Sequence, residues 1–261
     1  MVHKLKLERR QVWLKHYHAP GRLRRMLIAL WNALSRRLGL VALMSPPPHS
    51  PSEAREIEQR RLAELHANGA NVPAVVGEGS DELLLSDLGV TLSHCIRQIP
   101  TPEGIDRLVA LVASDMARLH RNDGYLGQAF PRNITVARQV IGFIDFEEDP
   151  LEVMTLPQAQ ARDWIMLTTG LVKYYEKRSS QLVRIIREAT ARIDNEVRRI
   201  VLHVAAQLHF LERRWVRSRY AVAIAVLRQA FAPPTSSVMT GIGRRQENVQ
   251  SMPTDVRRLS Q

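Results

Sequence analysis

The sequence predicts an α+β fold, with a small N-terminal part that mixes short strands with helix and a larger, mostly helical part behind it. Two observations carry this reading. Short β-type runs, Val12 to Lys15, Pro73 to Val76 and Glu82 to Ser86, fall within residues 1–90 and are separated by turn residues. Beyond them, apolar residues recur at helical spacing over 101–121, 157–178 and 181–231, interrupted by one strand pair that closes on Asp145. The boundary between the two parts is predicted at residue 90, and the second part runs from 91 to 231. Residues 232–261 are polar and basic, contain Gly and Ser, and read as a disordered tail.

The elements follow in order. Residues 4–17 alternate loosely through Leu5, Leu7, Val12 and Leu14 and read as strands, of which Val12-Trp13-Leu14-Lys15 is the better. Ala19-Pro20-Gly21 breaks the pattern. Residues 22–43 read as an inserted helix, with Leu23, Met26, Leu27, Leu30, Trp31, Leu34 and Leu38 on one stripe and Arg22, Arg24, Arg25, Arg36 and Arg37 on its flanks. No Asp or Glu occurs between Glu8 and Glu53. A basic amphipathic helix carrying a Trp suits an anionic membrane surface; the same stripe would serve equally to pack on the rest of the protein.

Ser45 to Pro51 is a Pro-rich loop. A second helix is predicted from near Ser52, its N-cap, through Ile57, Leu62 and Leu65 to a stop at Asn68-Gly69. Residues 77–81 form a turn between two short strands, and Asp87-Leu88-Gly89 reads as a connector. Thr101 caps a helix with Pro102 in its first turn; it runs to about Arg121 with Leu108, Leu111, Val112, Met116 and Leu119 inward. A helix follows over 157–178, then long helical patterns over 181–231 with a break near Arg217. Pro233-Pro234 ends them.

Charge narrows the partners. The chain has 37 Lys and Arg against 26 Asp and Glu, a net charge of +11, which favours anionic ligands: nucleotides, phosphorylated sugars, acidic lipid or nucleic acid. Nucleic acid is the least supported of these, because it rests on charge alone; Arg213, Arg214, Arg217 and Arg219 beside Trp215 and Tyr220 read first as a solvated helix face. The single cysteine, Cys95, excludes an intramolecular disulfide and suits a reducing cytoplasm. No run is apolar enough to span a bilayer, and the charged stretch from Lys4 to Arg10 argues against a cleaved signal peptide. Gly-x-Ser-x-Gly, His-Glu-x-x-His and Walker-type patterns are all missing from the sequence.

The chemistry concentrates between Gly127 and Glu147. A loop ending in Asn133 leads into a strand pair, and the second strand, Ile141 to Ile144, ends in Asp145. A tight hairpin would bring the Asn133 amide oxygen and the Asp145 carboxylate together, and these are hard oxygen ligands suited to Mg²⁺ carrying phosphates.

With a strand lysine (Lys15) and a helix glutamate (Glu58) ahead of it, this order resembles the protein-kinase-like superfamily over residues 10–178. The likeness is greatest to small atypical bacterial kinases: lipopolysaccharide-core sugar kinases, Rio-type kinases and the KEOPS-complex kinase. The resemblance implies a two-lobed kinase-like fold with a truncated N-terminal lobe, binding ATP and Mg²⁺. It implies that Lys15 contacts the nucleotide phosphates, that Glu58 rather than Glu56 or Glu64 pairs with it, and that Ser86-Asp87-Leu88-Gly89 is the hinge beside the adenine. Asn133 and Asp145 would hold the metal. His120 would bond the loop backbone, and Asp163 would brace that loop.

Two departures from the pattern matter. Gln128 stands where the family has its catalytic Asp, and an amide cannot accept a proton; its remaining role is to orient the acceptor. Fewer than fifteen residues precede Lys15 and none is Gly, so there is no room for the Gly-rich loop that covers the phosphates. The expected activity is phosphotransfer to a small-molecule or envelope glycolipid hydroxyl at the cytoplasmic face of a membrane. The alternative is a pseudokinase, a nucleotide-sensing or scaffold module that docks a protein partner.

Overall fold

The computed structural model describes residues 2–7, 10–209 and 219–233. Within them the chain folds as an α+β protein with two antiparallel sheets and a helical body. The first sheet has the order β1-β2-β4-β3, from Val2–Leu7 (β1), Arg10–His16 (β2), Val75–Glu78 (β3) and Glu82–Ser86 (β4). β2 is interior to it: Lys15 pairs with Val2 on one side and Leu83 on the other. β3 begins at Val75 rather than Pro73, because Pro73 has no amide to offer a ladder and the Ala74 amide donates instead to Ser86 Oγ at 2.9 Å.

Between β2 and β3 lie two helices, Arg22–Arg37 (α1) and Pro51–Ala67 (α2). The predicted helix over 22–43 is shorter than expected. Gly39 takes φ +68 past the Leu38 cap, its amide and that of Leu40 turn back to the Arg36 and Ser35 carbonyls, and Val41–Leu43 forms a separate 3-10 turn. α2 starts earlier than expected. Its cap is Ser50, not Ser52: Pro51 takes the first helical position, and Ser50 and Glu53 exchange side-chain-to-backbone bonds as a capping box.

The second sheet, of order β5-β6-β7, is built from Val90–Thr91 (β5), Ile134–Ala137 (β6) and Val140–Phe143 (β7). β5 and the short helix Leu92–Gln98 (α3) were not expected. The β6–β7 hairpin closes through Arg138 and Gln139, both at positive φ, as a two-residue connection requires.

The helical body comprises Pro102–Arg121 (α4), Leu156–Leu171 (α5), Ser179–Ala189 (α6), Asn195–Gln207 (α7) and Arg219–Phe231 (α8). α5 ends at Leu171 and passes into the 3-10 turn Val172–Tyr174, short of the predicted Arg178. The 181–231 pattern breaks at Thr190, whose hydroxyl bonds back to the Ile186 carbonyl, and α7 restarts on an Asp194 cap. In α4, Leu111 is exposed rather than inward, while Val109, Val112, Met116 and Leu119 are buried. The fully buried Trp164 of α5 sits at the centre, with His120 of α4 and Phe231 of α8 edge-on at 5.8 and 6.1 Å. The expected tail beyond Pro233, and Arg213, Arg214, Trp215 and Arg217, lie outside the described residues.

α1 differs from the other described helices. Its stripe of Leu, Met and Trp faces outward, and its buried residues are Asn32 and Ser35. Asn32 exchanges two bonds with the Ser45 backbone at 2.8 and 2.9 Å, and the Trp31 indole donates to the Leu43 carbonyl at 2.7 Å. The helix is held by its polar side.

Candidate functional site

β2 and α2 place the first two groups. Lys15 lies on an interior strand and Glu58 on the buried side of α2, and Lys15 Nζ stands 2.7 Å from Glu58 Oε2. Glu58 is 1% exposed and also accepts from the Tyr17 hydroxyl at 2.6 Å and the Phe146 amide at 3.3 Å, so every side of its charge is answered. Glu56 and Glu64 are engaged elsewhere, with Arg55 and with Arg60 and Arg61.

The β6–β7 hairpin places the next two. The Ile144 amide donates to the Asn133 carbonyl at 2.9 Å, which closes the hairpin stem and sets Asp145 beside Asn133. The Asn133 amide nitrogen donates to the Gln128 carbonyl at 3.1 Å, leaving Oδ1 as its accepting atom. Asp145 adopts φ +76, a backbone state that costs a non-glycine residue of order 1–3 kcal/mol. In that state its carboxylate meets Lys15 Nζ at 2.8 Å, and Glu147 approaches the same ammonium at 3.3 Å. Burial opposes the Lys15 charge, but Glu58, Asp145 and Glu147 together outweigh it and hold the ammonium well above its usual range.

Lys15, Glu58, Asn133 and Asp145 line one cavity of about 430 Å³ together with the apolar Trp13, Leu85 and Leu88 and with Gly89. Its apolar walls and a few convergent charges are the usual composition of a small-molecule site. Asp87, expected at the site, does not itself line the cavity; its carboxylate accepts from the Trp13 indole at 2.6 Å and the Gly89 amide at 3.3 Å, two residues that do. Its side chain thereby shapes the turn.

The loop carrying Gln128 is fixed from behind. Asp163, fully buried, accepts from the Leu126 and Gly127 amides, both at 2.7 Å, and from His120 Nε2 at 3.1 Å. His120 thus reaches the loop through Asp163 and not by the direct backbone bond expected. Gly127 has φ +83, and a β-carbon there would come within 2.6 Å of Pro150, so only glycine fits the turn. Gln128 Nε2 donates to Glu148 Oε2 at 3.0 Å, and the other oxygen of Glu148 lies 3.5 Å from Arg24 of α1. Burial pushes the Glu148 carboxyl up; Arg162 and Arg24 pull against that, and Glu147 and Asp145 add to it. Asp123 is not part of this arrangement. It lines a separate cavity of about 500 Å³ between α4, α5 and α7.

Several members had no signal in the sequence. Arg162, 4% exposed, donates to the Gly127, Met44 and Ala42 carbonyls at 2.7, 2.6 and 3.4 Å. Arg61 stacks on Tyr125 and donates to its carbonyl at 2.6 Å. Tyr17 looked like the end of a strand. Glu148 is one acid of the stretch from Asp145 to Asp149, with nothing in the sequence to single it out.

No protein-family model matches this sequence, and none of the curated proteins matches it. Among solved structures, the complex of Rv3197 with erythromycin from Mycobacterium tuberculosis is similar over 88% of this chain and 70% of that chain, at 19% identity and a TM-score of 0.33.

Proposed function

We propose that the chain is a protein-kinase-like phosphotransferase that uses ATP and Mg²⁺ to phosphorylate a hydroxyl of a small molecule or glycolipid. The observation that carries this reading is the meeting of Lys15, Glu58 and Asp145 within 2.8 Å contacts in a cavity that Asn133 also lines. Lys15 grips phosphate, and Glu58 holds its ammonium in place. The turn that Asp87 shapes borders the part of the cavity that takes the base.

The donor set fits Mg²⁺. Asn133 Oδ1 and the Asp145 carboxylate are oxygen-only donors that line the same cavity. Mg²⁺ is commonly bound through one or two carboxylates, with water and phosphate completing its shell. When bound, it supplies charge neutralisation at the phosphates.

Gln128 orients the acceptor and cannot take its proton. Glu148 can: its carboxylate is 3.0 Å from Gln128 Nε2, and burial raises its proton affinity. As the acceptor oxygen bonds to the transferred phosphorus and ADP leaves, the hydroxyl proton passes to Glu148. A base so placed contributes about 10²–10⁴-fold, the smaller share beside positioning and charge neutralisation. Gln128 itself favours a second reading, a nucleotide-sensing module without transfer.

A thermal-shift titration with ATP, with and without Mg²⁺, tests the proposal. Ligand at about 100 Kd stabilises by about 2.7 kcal/mol. A Mg²⁺-dependent shift that Asp145→Ala removes supports a nucleotide site; no shift in the native chain overturns it. Release of ADP with an acceptor then separates transfer from sensing.

A further inference from the structure

α1 shows solvent the side that a helix ordinarily buries. Leu23, Met26, Leu27, Leu30, Trp31 and Leu34 are 42–67% exposed, and nothing among the described residues covers them. A continuous apolar stripe of this kind marks a surface that meets something else. Three observations choose the occupant.

The first is charge. Arg22, Arg24, Arg25, Arg36 and Arg37 are exposed around the stripe, residues 9–52 contain no Asp or Glu, and among the described residues only Arg24 of the five meets an acid, Glu148 at 3.5 Å. A second copy of this chain would bring the same arginines together across a two-fold axis, where like charges repel. A surface dense in phosphate answers the other four.

The second is length. α1 has 16 residues, below the roughly 20 needed to cross a bilayer, and no described helix is long and apolar enough to do so. Such a helix lies in the plane of the interface. The third is hydrogen bonding. The Trp31 indole N–H is already spent on the Leu43 carbonyl and Asn32 on Ser45, so the outward face enters lipid without an unpaired donor.

We infer that α1 seats the protein on an anionic lipid bilayer, with its Leu, Met and Trp side chains among the upper acyl chains and its arginines on headgroup phosphates. Docked so, α1 brings the reacting end of the site to the membrane, since Arg24 reaches Glu148 and shares a small cavity with Tyr17, His49, Glu147 and Glu148. The docking stands without the phosphotransfer reading; resting on that reading, it makes the acceptor a hydroxyl carried by a lipid.

Flotation of the native chain with vesicles tests this, using phosphatidylglycerol mixed with phosphatidylcholine against phosphatidylcholine alone. The variant Leu27→Glu/Leu30→Glu alters only exposed positions away from the cavity. Flotation with anionic vesicles only, weakened by salt and at least about tenfold in the variant, is the expected result. The variant's urea midpoint and its ATP·Mg²⁺ shift stay native. Failure to float, equal flotation with neutral vesicles, or native flotation of the variant would each overturn the docking. So would a solution dimer that the variant returns to monomer, which assigns the stripe to a second copy. An ATP·Mg²⁺ shift without flotation sinks the docking alone; flotation without the shift sinks the nucleotide site alone.

Discussion

Lys15 Nζ and Glu58 Oε2 stand 2.7 Å apart where β2 meets α2, and neither side chain is more than 10% exposed. Removing one member of a buried pair leaves the other charged and unanswered, which costs about 3–5 kcal/mol. Lys15→Met is therefore expected to lose about 3 kcal/mol in urea unfolding. Adding Glu58→Gln should restore most of that, because a neutral amide keeps a hydrogen bond with Tyr17 and needs no counter-ion. Two losses that simply add would show that the pair is not coupled.

Asp163 joins α5 to the loop that carries Gln128. Its carboxylate satisfies the Leu126 and Gly127 amides at 2.7 Å each in a fully buried position. Asp163→Ala leaves both amides without a partner, at about 1–3 kcal/mol each. The variant should unfold at lower urea, and hydrogen exchange at these two amides should accelerate beyond the global change. It should also lose nucleotide-dependent stabilisation, since Asn133 is tied to the Gln128 carbonyl of the same loop.

Two neighbouring acids should give opposite pH signatures. Burial raises the Glu148 carboxyl above its ordinary value, so the folded state holds its proton over a range where the unfolded chain has released it. Stability therefore falls as pH rises from the ordinary carboxylate value through the raised one. Glu148→Gln is expected to be the more stable protein at neutral pH, with the difference vanishing in acid. Asp149 is the reverse. Burial pushes it up, but bonds from Tyr125, Arg60 and the Leu151 amide outweigh that and bring it below its ordinary value. Its contribution is present above the ordinary value and is lost as pH falls through the lowered one, so Asp149→Asn should destabilise at neutral pH and converge with the native chain in acid. Urea midpoints between acid and neutral pH, taken for both variants, read the two slopes.

What could be read from the chain depended on whether the physics was local. The approach of Asp145 to Asn133 was legible because a two-residue hairpin turn fixes its register, whereas the choice of Glu58 over its neighbours came only with the family resemblance. The Asp163 brace came with the family resemblance, and its physical reason is that a fully buried carboxylate needs donors, which the Leu126 and Gly127 amides supply. The orientation of α1 was not. Periodicity shows that a helix has two faces but not which one the protein holds, and here Asn32 bonds the Ser45 backbone and Ser35 is buried beside it while the leucines face outward. The break at Thr190 was invisible for a similar reason, since its hydroxyl bond to Ile186 leaves the apolar spacing on both sides intact.

Arg162 was hidden because its partners are backbone carbonyls, which any sequence supplies. Its guanidinium spans the Gly127 carbonyl of the loop before Gln128 and the Met44 and Ala42 carbonyls behind α1. Burial lowers its proton affinity, with Glu148 and Asp163 acting against that, and the group remains charged at neutral pH because it starts so high. Arg162→Met would fill the volume but strand these carbonyls and remove a positive neighbour of Glu148. An expected loss of about 3 kcal/mol follows from the unpaired acceptors alone. Arg162→Lys should recover little, because a single ammonium lacks the rigid fork needed to meet acceptors on separate segments. The two variants should also separate the arginine's two roles. If the guanidinium aligns the loop, both lose nucleotide-dependent stabilisation; if only its charge matters to Glu148, Arg162→Lys keeps it. Thermal shifts with ATP and Mg²⁺ on both variants decide between these roles.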